Sequence, residues 1–100
     1  MTRTDLANMF STILDGDDFL QFERVESPMH SRPDICAFLM LDARLPRPGW
    51  DIVDFATHEE ISLAIDVDAL AAVVDEAFIR DLVRCGVRYD EEHDDLRMYV

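Results

Sequence analysis

Asp66–Gly86, DVDALAAVVDEAFIRDLVRCG, falls almost wholly within the longest span free of proline and glycine, Trp50–Cys85, and its reading decides the fold. Val67, Leu70, Ala71 and Val74 share one helical face. Extending that face calls for apolar residues at 77, 78, 81, 82 and 85, but position 81 is Asp81, and Ile79 and Val83 fall to one side. From Phe78 onward a second stripe, Phe78, Ile79, Leu82 and Val83, is clean and out of phase with the first. Asp75 stands where a new N-cap belongs, and Glu76 follows it at the positive helix end. The pattern predicts a short helix over 68–73, a break near Val74 and Asp75, and a second helix over 76–85. One helix buried on two sides is the alternative. Gly86 suits a left-handed cap after the second helix, with Arg84 in its last turn.

Strands are expected on both sides of this stretch. After it, Val87–Asp90 and Leu96–Val100 alternate apolar and polar residues about the turn Glu91–Asp95, a hairpin whose last residue should be tied into a sheet. Before it, Ile61, Leu63 and Ile65 alternate with polar or small residues, which is the pattern of a half-exposed strand. Trp50–Thr57 pairs with that strand through a turn near His58–Glu60, and Trp50 reads as a core edge. Leu45–Gly49, LPRPG, is a turn in which two prolines prevent pairing. Ile35–Leu45, ICAFLMLDARL, opens with seven apolar residues and reads as a central strand, and Phe19–Val25 as another. Between them Glu26–Asp34 is a loop held by Pro28 and Pro33, carrying His30 and Arg32. Thr4–Gly16 is an amphipathic helix, with Leu6, Met9, Phe10, Ile13 and Leu14 on one stripe and Thr4 as its cap. The expected fold is α+β: one small domain over residues 1–100, with an antiparallel sheet of about five to six strands. An N-terminal helix, and two short helices or one kinked helix before the C-terminal hairpin, complete it. Its core should hold Leu6, Phe10, Ile13, Phe38, Met40, Ile61, Leu63, Ile65, Leu70, Phe78, Leu82 and Met98.

Composition bounds the function. Apolar residues make up 49 % of the 100, as in a globular chain. No apolar run approaches the roughly 18 residues of a membrane span, and MTRTDLANMF lacks a secretion core, so a cytoplasmic protein is expected. Cys36 and Cys85 sit in apolar patterns, as buried free thiols do. The 22 acids and 9 basic residues give a formal net charge of −13. Residues 1–50 hold 8 acids and 5 arginines, net −3, whereas 51–100 hold 14 acids and 4 arginines, net −10. Such a field repels nucleic acid and acidic membranes and attracts basic surfaces. Every basic residue is arginine, as a GC-rich genome or a salt-adapted surface would also produce.

No motif carries catalysis. DGDD at 15–18 lacks the later ligands of a calcium loop. Asp90, Glu91, Glu92, His93, Asp94 and Asp95 could in principle serve Mg²⁺ or Mn²⁺, but consecutive side chains should radiate from a turn, so neither metal nor cofactor is assigned. The order helix, turn, helix, strand, turn, strand over 67–100 mimics a winged helix with Arg80 and Arg84 toward phosphate, yet its wing would be EEHDD. Arg80 instead pairs with Glu76 at i, i+4.

In size and in its acidic terminus CGVRYDEEHDDLRMYV, the chain resembles small acidic inhibitors from phages and mobile elements, including anti-CRISPR and other anti-defence proteins. The resemblance covers length and charge, without a motif. It implies a non-enzymatic inhibitor that occupies a basic nucleic-acid-binding surface of a partner protein, without itself touching nucleic acid or membrane. The contact face would be Asp68, Asp75, Glu76, Glu91, Glu92, Asp94 and Asp95. An immunity protein or antitoxin facing a basic nuclease toxin is the second reading, and a metal-dependent enzyme using the hairpin acids the third. The break at Asp75 is directly testable: Asp75→Ala should destabilise by about 1 kcal/mol in chemical denaturation, whereas an unbroken helix would leave it neutral or stabilised.

Overall fold

The break near Asp75 is present, and capping chemistry produces it. Residues 1–46 and 51–99 are described by the structure, a computed structural model. Helix α3 spans Val67–Ala71 and helix α4 spans Glu76–Arg84. Asp66 Oδ1 accepts the Ala69 N–H at 3.1 Å, and Asp75 Oδ1 accepts the Phe78 N–H at 2.9 Å, so each helix has its own N-cap. The Arg44 guanidinium donates to the Val73 carbonyl at 2.7 Å, which occupies an acceptor freed where α3 ends. At the far end Gly86 takes φ 100°, the left-handed conformation expected of it.

Helix α1 spans Arg3–Leu14, so its cap lies two residues before the expected Thr4. Thr2, not Thr4, is the cap: its Oγ1 accepts from Asp5 N at 3.1 Å while Asp5 accepts from Thr2 N at 2.9 Å, a reciprocal capping box. Leu6, Phe10 and Ile13 are buried, as their spacing predicts.

Four strands are present among the described residues, where about five to six were expected: β1 Val53–Ala56, β2 Glu60–Leu63, β3 Val87–Asp90 and β4 Asp95–Tyr99. They form one antiparallel sheet in the order β1-β2-β4-β3. The Pro-Gly turn, Trp50 and the terminal Val100 concern positions outside the described residues, save Leu45 and Pro46. Two expected strands are absent. Pro33–Arg44 is a helix, α2, with Pro33 in the first turn and Asp34 at its positive end. Its buried residues Cys36, Ala37, Met40 and Leu41 follow helical spacing, a signal that the unbroken apolar run conceals. Phe19–Val25 is a turn segment with a short 3₁₀ turn over Phe22–Arg24, and its backbone bonds stay local apart from Leu20 N–H to the Val83 carbonyl at 3.2 Å.

Sheet register sorts side chains by period two. Ile61, Met98 and Val87 stand in one cross-strand row, and Leu63, Leu96 and Tyr89 in another, on the face that meets the helices. Between these rows Ser62, Arg97 and Arg88 point the opposite way. Helix α1 packs on α3, α4 and β3, and α2 packs on α4. Nine of the twelve expected core residues are buried; Phe38, Ile61 and Ile65 are half-buried at the margin of the core. Both cysteines are free and buried. Phe10 and Leu82 are fully enclosed, so Phe10→Ala or Leu82→Ala should each cost about 2–5 kcal/mol in denaturant titration.

Candidate interaction surface

Helix α1 organises the acidic surface. One flank of α1 carries a groove of about 220 Å³ whose wall includes Leu14, Asp15, Tyr89 and Glu91. Its other flank carries a cleft of about 420 Å³ that runs from Asp5 past Asn8 and Thr12 to Glu76. At the helix start, Arg3 bridges two distant acids. It donates to Asp68 at 3.0 and 3.1 Å and pairs with Asp94 in the β3–β4 turn. Asp68, Glu76, Glu91 and Asp94, far apart in sequence, are therefore disposed about one helix. Glu92, exposed in the same turn as Glu91, donates its backbone N–H to Asp90 at 2.9 Å.

The remaining two expected contact residues have structural employment. Asp75 caps α4. Asp95 accepts from the Ser62 hydroxyl at 2.9 Å and from Arg97 Nε at 2.9 Å, which turns it toward the opposite sheet face.

That opposite face carries an ionic network the sequence reading missed. Arg97, 4 % exposed, bonds Glu60 at 2.8 Å and Asp95, and lies 3.3 Å from Asp90, while Arg88 pairs with Glu60. The hydrogen bonds that Arg97 donates to Asp95 and Glu60 outweigh the burial that opposes its charge and hold its pKa above the usual value. The outward phase of Leu96-Arg97-Met98 was the legible part; the partners come from three other strand positions.

A second network centres on Asp18, which is 6 % exposed. Arg80 donates to it at 2.7 Å, Arg84 at 3.0 Å and Arg24 at 3.2 Å. Arg80 also reaches Glu76 at 3.3 Å, the pairing its i, i+4 spacing predicts. The bonds from Arg80 and Arg84 lower the Asp18 pKa from 3.8 to about 2, against the upward push of burial. The adjoining cleft is lined by Arg24, Arg80 and Arg84 but also by Glu26, Glu76 and Asp81, so it offers an anion no net attraction.

Convergence in the hairpin turn exceeds expectation. Ligand atoms of Asp90, Glu92 and His93 lie within 4.8 Å of one another, so these side chains do not simply radiate. They are the group that could hold a divalent cation among the described residues. Asp90 already accepts the backbone N–H groups of Glu92 and His93, lies 3.2 Å from His93 Nδ1 and faces Arg97, so it closes the turn without a metal. Burial pushes the Cys85 thiol up to about 12, and Cys36 beside it adds to the shift, so Cys85 is kept from acting as a thiolate.

The arginines of the described residues all have partners within the chain. Arg3, Arg24, Arg32, Arg80, Arg84, Arg88 and Arg97 are ion-paired within the chain, and Arg44 donates to a carbonyl while stacking 4.4 Å from the Phe78 ring centroid. Asp15, Glu91 and Glu92 have no such partner among those residues. No described helix is long and apolar enough to cross a membrane. No family model matches this sequence, and no curated protein or solved structure matches it.

The Asp18 network sets a pH dependence. A carboxylate whose folded pKa is lowered stabilises the fold above its unfolded pKa and loses that effect as pH falls through the folded value. From 3.8 to about 2, wild type should therefore lose stability that Asp18→Asn never had. Denaturation midpoints of the two proteins should be well separated near neutrality and converge as the pH approaches about 2.

Proposed function

We propose that the chain is a small, acidic, non-enzymatic binding protein that lays its α1 face against a basic surface of a partner protein. The partner surface is of the kind that handles nucleic acid, and occupying it inhibits the partner, as an anti-CRISPR-like inhibitor would. The observation that carries this reading is the asymmetry of charge use. The described arginines are engaged inside the molecule, whereas Asp15, Glu91 and Glu92 are left unpaired around α1. A field of that sign speeds encounter with a cationic groove, and the carboxylates then compete for its arginine and lysine side chains.

Asp94 and Asp95 are poor choices for a test, because removing them would also free Arg3 and Arg97. Asp15→Asn, Glu91→Gln and Glu92→Gln together lower the charge with little cost to the core, since all three residues are exposed and have no ion-pair partner among the described residues. Affinity capture from the native host supplies the partner, and association kinetics with it are then compared for both proteins. Wild-type association should fall steeply between about 0.05 and 0.5 M salt. The variant should fold normally, associate about tenfold or more slowly at low salt, and show a flatter salt dependence. Unchanged rate and salt dependence in the folded variant would remove the proposal.

A further inference from the structure

The groove between α1 and the edge strand β3 is lined by charge of one sign. Ala7, Ser11 and Leu14 line it at i, i+4 and i+7 of α1, Tyr89 lines it from β3, and Asp15 and Glu91 are its charged residues. Both carboxylates are exposed and have no ion-pair partner among the described residues. No described arginine lines this groove, in contrast to the cleft beside Asp18, where three arginines face three acids. Arg3, at the other end of α1, is engaged by Asp68 and Asp94.

Helix direction reinforces that sign. The 12 residues of α1 include no basic residue in the last turn, and Asp15 is the C-cap. The Asp15 carboxylate therefore stands at the negative end of the helix dipole, where a cation is the favourable neighbour.

The aromatic wall discriminates among cations. Tyr89 is half-buried and seated against the fully buried Phe10, with ring centroids 6.3 Å apart. A ring beside carboxylates favours a guanidinium, which is planar, weakly hydrated and able to stack while its N–H groups reach the acids. An ammonium is a more strongly hydrated point charge. At about 220 Å³ the groove is smaller than the roughly 300–1,000 Å³ of a small-molecule site and suits one long side chain. We infer that it receives an arginine side chain of the partner protein. The methylenes lie along Ala7 and Leu14, and the guanidinium rests on Tyr89 with Asp15 and Glu91 as counter-ions. The inference rests on the proposed binding of a basic partner. It adds a preference for arginine over lysine, which net charge by itself does not confer.

The test uses the full chain at low salt and three short peptides identical except at one central residue: arginine, lysine, or citrulline, the neutral isostere of arginine. In an NMR titration the arginine peptide should shift the Ala7 methyl and Tyr89 ring signals and bind about threefold or more tighter than the lysine peptide. The citrulline peptide should leave those signals in place. Tyr89→Leu, which keeps an apolar group against Phe10, should reduce the arginine peptide to the affinity of the lysine peptide. Glu91→Gln should weaken both charged peptides and retain the preference. If Tyr89→Leu fails to fold, Ser11→Leu decides: this exposed helical position accepts leucine, which fills the groove and should abolish the arginine-dependent shifts. Equal affinity of the wild type for the arginine and lysine peptides, arginine-dependent shifts mapping elsewhere, or undiminished binding by Ser11→Leu would overturn the inference. The peptides need no partner, so this failure is distinct from that of the charge variants, which is read on the rate and salt dependence of partner association.

Discussion

Asp18 is the residue on which the attachment of residues 17–25 to helix α4 depends. A carboxylate withdrawn from water is costly unless its charge is met by donors at good geometry. Three arginines meet it, two of them from one face of α4 and one from the 3₁₀ turn that follows Asp18 in sequence. This arrangement draws residues 17–25 over the C-terminal end of α4, and the Leu20 bond to Val83 completes the attachment. A segment committed to those bonds cannot also extend as a strand. The absence of a strand over Phe19–Val25 and the left-handed Leu20 seated over Gly86 accompany that anchoring.

The same logic governs the sheet. Its inner face follows ordinary apolar packing, whereas its outer face concentrates Arg88, Arg97, Glu60, Asp90 and Asp95. Arg97 also lies 5.1 Å from the Phe55 ring centroid and Arg88 4.6 Å from that of Tyr99, so both guanidinium groups rest on aromatic faces. Arg97 shares its charge among Glu60, Asp90 and Asp95, and Asp18 among Arg24, Arg80 and Arg84, which couples the members of each network. Together the networks engage Arg24, Arg80, Arg84, Arg88 and Arg97, and Arg3 and Arg32 are paired outside them. The net charge of −13 is therefore carried by carboxylates that have no internal duty and by those whose arginine partners are exposed.

Two surfaces of unlike character result. The α1 face mixes small polar side chains, Asn8, Ser11 and Thr12, with Met9 and Leu14, and has Asp5, Asp15, Glu76 and Glu91 around it. The α2–sheet cleft is mainly apolar, with Asp34 and Arg32 of its lining paired to each other.

Local chemistry was legible in the sequence wherever one residue type forces one outcome. Asp75 and Gly86 set the limits of α4, because a short acceptor side chain and a residue without Cβ suit a cap and a left-handed end wherever they fall. The alternation about EEHDD specified the C-terminal hairpin, and the stripe from Leu6 to Leu14 specified α1. The acids at Glu76, Glu91 and Glu92 could be named as exposed, but not as neighbours of a common helix. Periodicity could not resolve α2, because an apolar run such as ICAFLML has no polar residue to mark a face, and only contact with α4 decides which side is buried. Nor could it show that Asp18, forming part of an evident acidic turn, would be enclosed by Arg80 and Arg84 more than sixty positions away. Pairing at that distance belongs to no local pattern; it exists only once the helices have packed and brought the charges out of water together.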